Sequence, residues 1–259
     1  MSIFNKIVLI CKGIFLHNTF NLHKKTTFME KRISKKINDY YQNLFDEYGL
    51  SPKSVGWGSK KGKQTARFDA LCSIGNLSNS SILDIGCGFG DLYAFLKYRK
   101  FKIKYHGIDI NENLISMGKK IYPKIHLECR DFEIKKFNMK FDWVLSSGIT
   151  SHGSTYPHLT SIMKEMFKIC KKGFAMNFVS DNVDFKNENL FYSSPEKIIS
   201  IVKSISNRYT IRHDYMPYEF TLYVYKNNIK TKNHIFTEFV KASRDNLDDR
   251  KWHPIYKKN

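Results

Sequence analysis

Residues 81–92 read SILDIGCGFGDL, and this stretch decides the architecture. Ile82, Leu83, Asp84 and Ile85 have the length and branched, apolar character of a buried parallel strand. The run leads into three glycines at alternate positions, Gly86, Gly88 and Gly90, followed by a helix-forming stretch over residues 91–98. A strand, a glycine turn and a helix make the first half of a nucleotide-binding βαβ unit. Glycine is needed where the backbone reverses sharply and where a ligand must approach closer than a Cβ allows. The start of the helix adds unpaired N–H groups and the positive end of a dipole.

Three further segments follow in order. Residues 104–111 read KYHGIDIN, a second strand ending at Asp109. Residues 125–132 read IHLECRDF, a third strand ending at Asp131, and residues 141–148 read FDWVLSSG, a fourth strand opening into a loop of small residues. Dinucleotide-binding enzymes use G-x-G-x-x-G, whereas this chain has G-x-G-x-G preceded by an acid. These residues resemble the motifs of the class I S-adenosylmethionine (SAM)-dependent methyltransferases, in particular small-molecule enzymes of bacteria. The resemblance covers roughly residues 55–226. It implies an α/β fold: a Rossmann-like seven-stranded sheet with helices on both faces and an antiparallel C-terminal hairpin. The sequence is consistent with that hairpin, because a short turn at Met216-Pro217 joins apolar runs at 209–215 and 220–225.

The resemblance also implies site residues and a cofactor, SAM. Gly86, Gly88 and Gly90 would face its methionine portion, with Asp84 organising that loop. Asp109 would accept hydrogen bonds from the ribose hydroxyls, with Ile110 against the adenine face. Asp131 and the Phe132 backbone would read the adenine edge, and Ser146 opens the loop nearest the sulfonium. The segment at 54–69, SVGWGSKKGKQTARFD, precedes the first strand and is placed to fold over the methionine end. Trp57, between two glycines, suits a lid. Arg67 suits a bidentate carboxylate clamp, with Gln64 one turn earlier on the same helix face. A solvated helix face with a core tryptophan is the competing reading.

Methyl transfer is an in-line displacement that needs an aligned nucleophile and often a base. The loop at 146–156, SSGITSHGSTY, contains His152, the expected catalytic base, since imidazole titrates near neutrality. His213, Asp214 and Tyr215 at the sixth strand's end, and Asn177, Asp181 and Asp184 after the fifth, are further acceptor-site candidates beside a plain packing role. The fourth-strand loop lacks the (Asn/Asp)-Pro-Pro-(Tyr/Phe) motif of amino methyltransferases acting on adenine or glutamine, and lacks the Pro-Cys of cytosine C5 enzymes. No aromatic-studded RNA-binding module is evident. A small-molecule acceptor is therefore expected over nucleic acid. An RNA methyltransferase and a non-catalytic SAM-binding scaffold are the rival readings.

The 259-residue chain carries 43 Lys plus Arg against 24 Asp plus Glu, a net charge of +19. The surplus fits an anionic acceptor such as a sugar precursor, but the lysines are scattered through an Asn- and Ile-rich sequence. Five cysteines show no paired spacing, which suits free thiols in a reducing cytoplasm. The nine histidines show no metal-ligand spacing, and no metal is expected. Residues 1–28 form an amphipathic extension too short and too interrupted by lysine to span a bilayer. It reads as an upstream extension ahead of a start at Met29, as a membrane-surface or partner-docking helix, or as a packed extra helix. The expected organisation is this extension, a helical cap at 29–79, a SAM-binding core at 80–226 and a polar tail at 227–259.

Overall fold

A computed structural model describes residues 33–56, 63–150 and 152–226. The extension at 1–28, the tail at 227–259 and Trp57 lie outside the described residues. Seven strands form one sheet in the order β3-β2-β1-β4-β5-β7-β6. They are β1 (Ser80–Ile85), β2 (Ile103–Asp109), β3 (His126–Cys129), β4 (Phe141–Ser146), β5 (Cys170–Val179), β6 (Tyr209–Arg212) and β7 (Glu219–Tyr225). Strands β1 to β5 pair in parallel, and β7 runs antiparallel to both β5 and β6. This is the expected Rossmann-like α/β sheet with its antiparallel hairpin.

Side chains alternate between the sheet's two faces, as the pleat requires. Leu83, Val144, Phe174 and Met176 face one core, shared with Leu159, Met163 and Met166 of α5 (Tyr156–Ile169) and Ile198 and Val202 of α6 (Pro195–Lys203). Ile82, Trp143, Leu145 and Ala175 face the other. That face is covered by Phe68 and Leu71 of α2 (Lys63–Cys72), Leu92 and Leu96 of α3 (Asp91–Tyr98), and Ile115 of α4 (Glu112–Ile121). Residues 33–48 form a further helix, α1, ahead of a 3-10 turn at Pro52–Val55.

Helix starts follow from capping chemistry. Asn111, Thr155 and Ser194 each accept a backbone N–H two or three residues into α4, α5 and α6, and Pro157 and Pro195 sit in first turns where no N–H is needed. Two boundaries differ from the sequence reading. Gly173, which from sequence alone reads as the stop of a helix at about residues 158–171, lies inside β5, because a Cβ there would collide with the Val224 carbonyl of β7 and crowd Trp143. The sixth strand ends at Arg212, so His213, Asp214 and Tyr215 belong to the turn that follows. No helix among the described residues is long and apolar enough to cross a membrane.

Helix α4 is held against the glycine turn through Gly118, whose Cβ position is 2.6 Å from the Phe89 carbonyl oxygen and 2.8 Å from Leu127. Gly118→Ala should therefore lower stability by about 1–3 kcal/mol. Chemical denaturation would show this as a lower midpoint, whereas an unshifted midpoint would contradict the close packing.

Candidate active site

The carboxyl ends of β1, β2 and β4 open into a cleft of about 1200 Å³, counting its open mouth. Its floor is the β1–α3 turn. Gly86, Gly88 and Gly90 all adopt positive φ, at 73°, 54° and 92°, which side-chain-bearing residues rarely tolerate. The turn is fastened to β2 at three points. Gly86 and Cys87 donate their N–H groups to the Ile108 carbonyl at 2.8 and 3.0 Å, and Gly88 donates to Asp109 Oδ2 at 2.9 Å. Asp109 Oδ1 also accepts from the Asn111 N–H at 2.9 Å.

Three acids gather around this floor. Asp84 is buried and accepts a 2.6 Å hydrogen bond from the Tyr105 hydroxyl. Burial pushes its pKa up to about 7; the Tyr105 bond opposes the rise, and Asp109 and Asp91 add to it. Asp109 is also raised, chiefly by burial, against the N–H groups of Asn111 and Gly88. Burial raises Asp91 too, opposed by a 3.0 Å bond from Gln64. Asp84, Asp91, Asp109 and Gln64 all line the cleft.

At the far end of β2 and β3, Ile110, Asp131 and Phe132 line one wall. Asp131 lies two residues past the end of β3, and its Oδ1 accepts the Glu133 and Ile134 N–H groups at 2.9 and 3.2 Å. It thus borders the cleft and caps its own turn. The loop after β4 supplies Ser147, Gly148, Ile149 and His152. The His152 ring stacks on Tyr40 with centroids 3.9 Å apart and meets Tyr41 edge-on at 6.0 Å. Burial lowers its pKa from the ordinary imidazole value, which favours the neutral form. Ser34, Ile37 and Tyr41 of α1, with Val55 and Gly56, form the roof.

Several sequence expectations change. Ser146 is buried and donates to the Ile85 carbonyl at 2.9 Å, so it braces β4 against β1 while Ser147 takes the position on the cleft. Gly90 serves as the residue before α3 and does not line the cleft. Arg67 does line it, but its guanidinium fork is engaged by the Glu219 carboxylate through two nitrogens, in place of the expected cofactor clamp. His213 packs against Phe220, Asp214 pairs with Arg212, and Tyr215 bonds to Thr221. Asn177 is buried against Thr221, and Asp184 accepts from Tyr218. None of these five lines the cleft, and neither does Asp181. Cys129 is a free, exposed thiol.

The sequence reading missed a buried pair on the cleft wall, His158 Nε2 and Glu133 Oε1, 2.5 Å apart. It also missed the α1 roof. Apolar periodicity along a helix does not say what that helix covers.

A seven-stranded sheet of this order, with a glycine turn and an acid at the end of β2 converging on one cleft, defines a class I SAM-dependent methyltransferase domain. Comparison with known proteins agrees. Residues 82–173 match the family model described as a methyltransferase domain. A Mycobacterium tuberculosis protein provisionally named a methyltransferase is 27% identical over 159 residues, covering 56% of this chain and 93% of its own length. A protein of Invertebrate iridescent virus 6, likewise provisionally named, is 26% identical over 96 residues, covering 36% of each chain. Among solved structures, magnesium protoporphyrin IX methyltransferase from Synechocystis PCC 6803, crystallised with SAM, aligns with a TM-score of 0.56 at 14% identity, over 75% of this chain and 97% of its own. The N-methyltransferase NodS from Bradyrhizobium japonicum aligns with a TM-score of 0.57 at 12% identity, over 74% of this chain and 100% of its own. Residues 82–173 thus form a methyltransferase domain, the sheet has the fold of the class I enzymes, and the chain is a SAM-dependent methyltransferase.

The Asp84 carboxyl gives a pH test. Its folded pKa lies above the unfolded value, so its stabilising contribution is full below about pH 4 and fades as pH rises through about 7. Asp84→Asn keeps the shape of the neutral form. It should flatten the loss of stability expected in thermal melts as pH rises from about 4 to about 7, and parallel wild-type and variant profiles would sink the assignment.

Proposed function

We propose that this enzyme transfers a methyl group from SAM to an oxygen or nitrogen of a small acceptor seated between the β4 loop and the α1 roof. The observation that carries this reading is the charge of the cleft. One buried acid, Asp84, and two partly buried ones, Asp91 and Asp109, converge on the glycine turn, and the two guanidinium groups on the cleft, Arg67 and Arg130, are paired with Glu219 and Glu128. Such a floor suits a cationic ligand with backbone-bonded ends, and the sulfonium cofactor is one.

In this reading Gly86 and Gly88 let the amino-acid end approach the backbone, and Asp84 and Asp91 supply negative charge beside it. Asp109 takes the ribose hydroxyls with the carboxylate that already holds the Gly88 N–H. Ile110 and Phe132 cover the base, and Asp131 meets its edge. When bound, the cofactor supplies an activated methyl carbon and a thioether leaving group that keeps the breaking bond's electron pair. The chain's own part is to hold the acceptor in line and take its proton. We assign that role to His152, whose ring stacks on Tyr40 and lines the cleft and whose pKa burial lowers.

The roof formed by α1 favours a small molecule, since it lies over the β4 loop where a duplex would have to enter. The anionic character of the acceptor, such as a sugar precursor, rests on the net charge of +19 alone. Incubating the full chain with isotope-labelled SAM and a metabolite extract, then finding the labelled product, would identify it. Labelling confined to RNA would overturn the small-molecule reading.

Two variants test the roles. Asp109→Ala should weaken cofactor binding about ten- to a hundredfold by calorimetry, the range for hydrogen bonds to a charged group; unchanged affinity removes the ribose role. His152→Ala should lower kcat roughly a hundredfold or more and leave cofactor affinity intact. Because burial lowers the His152 pKa, the wild-type rate should hold as pH falls through about 6.5 and decline only below it. A variant with wild-type kcat would exclude His152 as the base.

A further inference from the structure

On the sheet face opposite Tyr105, the parallel register sets His106 of β2 directly beside His126 of β3. Glu128 lies two residues along β3, so its side chain leaves the same face. One ligand-capable atom from each of these three residues lies within 4.8 Å of the other two. His106 Nε2 is 3.6 Å from Glu128 Oε2, and the two imidazole rings are 4.1 Å apart and inclined at 66°. His106 Nε2 is buried and has no hydrogen-bond partner among the described residues. A buried ring nitrogen without a partner is costly and calls for an explanation.

We propose that His106, His126 and Glu128 form a binding site for a divalent ion of the zinc class. Metal–nitrogen and metal–oxygen bonds near 2.1 Å place two ligands of a tetrahedral centre about 3.4 Å apart, close to the His106–Glu128 separation. Two imidazoles and one carboxylate are a set that suits zinc, nickel or copper and leaves one position for water. The two carboxylate oxygens of Glu128 are divided in a way that permits this. Arg130 and Lys135 hold Oε1, at 2.9 and 3.7 Å, while Oε2 is the oxygen turned toward His106.

The site's role follows from its place. β3 is a four-residue edge strand, and residues 130–133 beyond it line the cleft. An ion shared by β2 and β3 would cross-link that edge and steady the wall. Arg130 and Lys135 set a limit, since each repels a second cation, so binding weaker than that of a closed four-ligand site is expected.

The test uses the untagged full chain, stripped with a chelator. Cobalt(II) would be titrated with visible absorbance as readout, zinc by competition, and the melting temperature measured with and without zinc. One saturable ion per chain, with a zinc-dependent rise in melting temperature, is expected. His126 is exposed, so His126→Ala should fold. It should weaken cobalt binding by at least about tenfold, the smallest loss seen when even an outer-shell partner is removed, and abolish the melting shift. Glu128→Gln gives a second variant with the same expectation. Absence of saturable binding in the wild type, or wild-type affinity and melting shift in both variants, would overturn the site.

Discussion

The bond from the Gly88 N–H to the Asp109 carboxylate ties the glycine turn to the end of β2, and the cleft's floor depends on it. Gly86 and Cys87 donate to Ile108 in the same stretch, so the turn after β1 is shaped by the strand beside it. Left-handed backbone at three glycines makes these bonds geometrically available. Every other feature of the cleft is positioned relative to this junction. Helix α4 starts from the Asn111 cap two residues after Asp109, and α3 starts at the last glycine.

The same junction concentrates negative charge in low-dielectric surroundings. Asp84, Asp91 and Asp109 are each held above the ordinary carboxylate range by burial. Crowding carboxylates in this way is unfavourable, and it is tempered by Tyr105, Gln64 and backbone N–H groups. A cationic ligand would offset this mutual repulsion. Arg67 is kept from competing for that place by Glu219, at the start of β7. The antiparallel hairpin that marks the fold thus contributes to the electrostatics of the cleft.

Several errors of sequence reading have one physical origin: a residue's type states what it can do, and its neighbours decide what it does. Gly173 looks like a helix terminator but is a glycine because β7 passes too close for a Cβ. Ser146 and Ser147 are indistinguishable in sequence, yet strand alternation sends the first into a bond with Ile85 and the second to the cleft. Arg67 offered a carboxylate fork, and the carboxylate it found is 152 residues away in the same chain. The order of strands, the glycine turn and the acid at Asp109 were legible because they are local, carried by periodicity and by backbone conformations open chiefly to glycine.

By itself, then, the sequence determined the alternation of strands and helices, the nucleoside-type turn and its acids, since short-range sterics and hydrophobic period act within a few residues. Tertiary structure alone decided which side chains share a space. Tyr40 stacks on His152 because α1 crosses the β4 loop, and His158 meets Glu133 because α5 packs beside the β3 turn. His106 faces His126 across twenty residues of chain because parallel pairing has a definite register, and register is a property of the sheet.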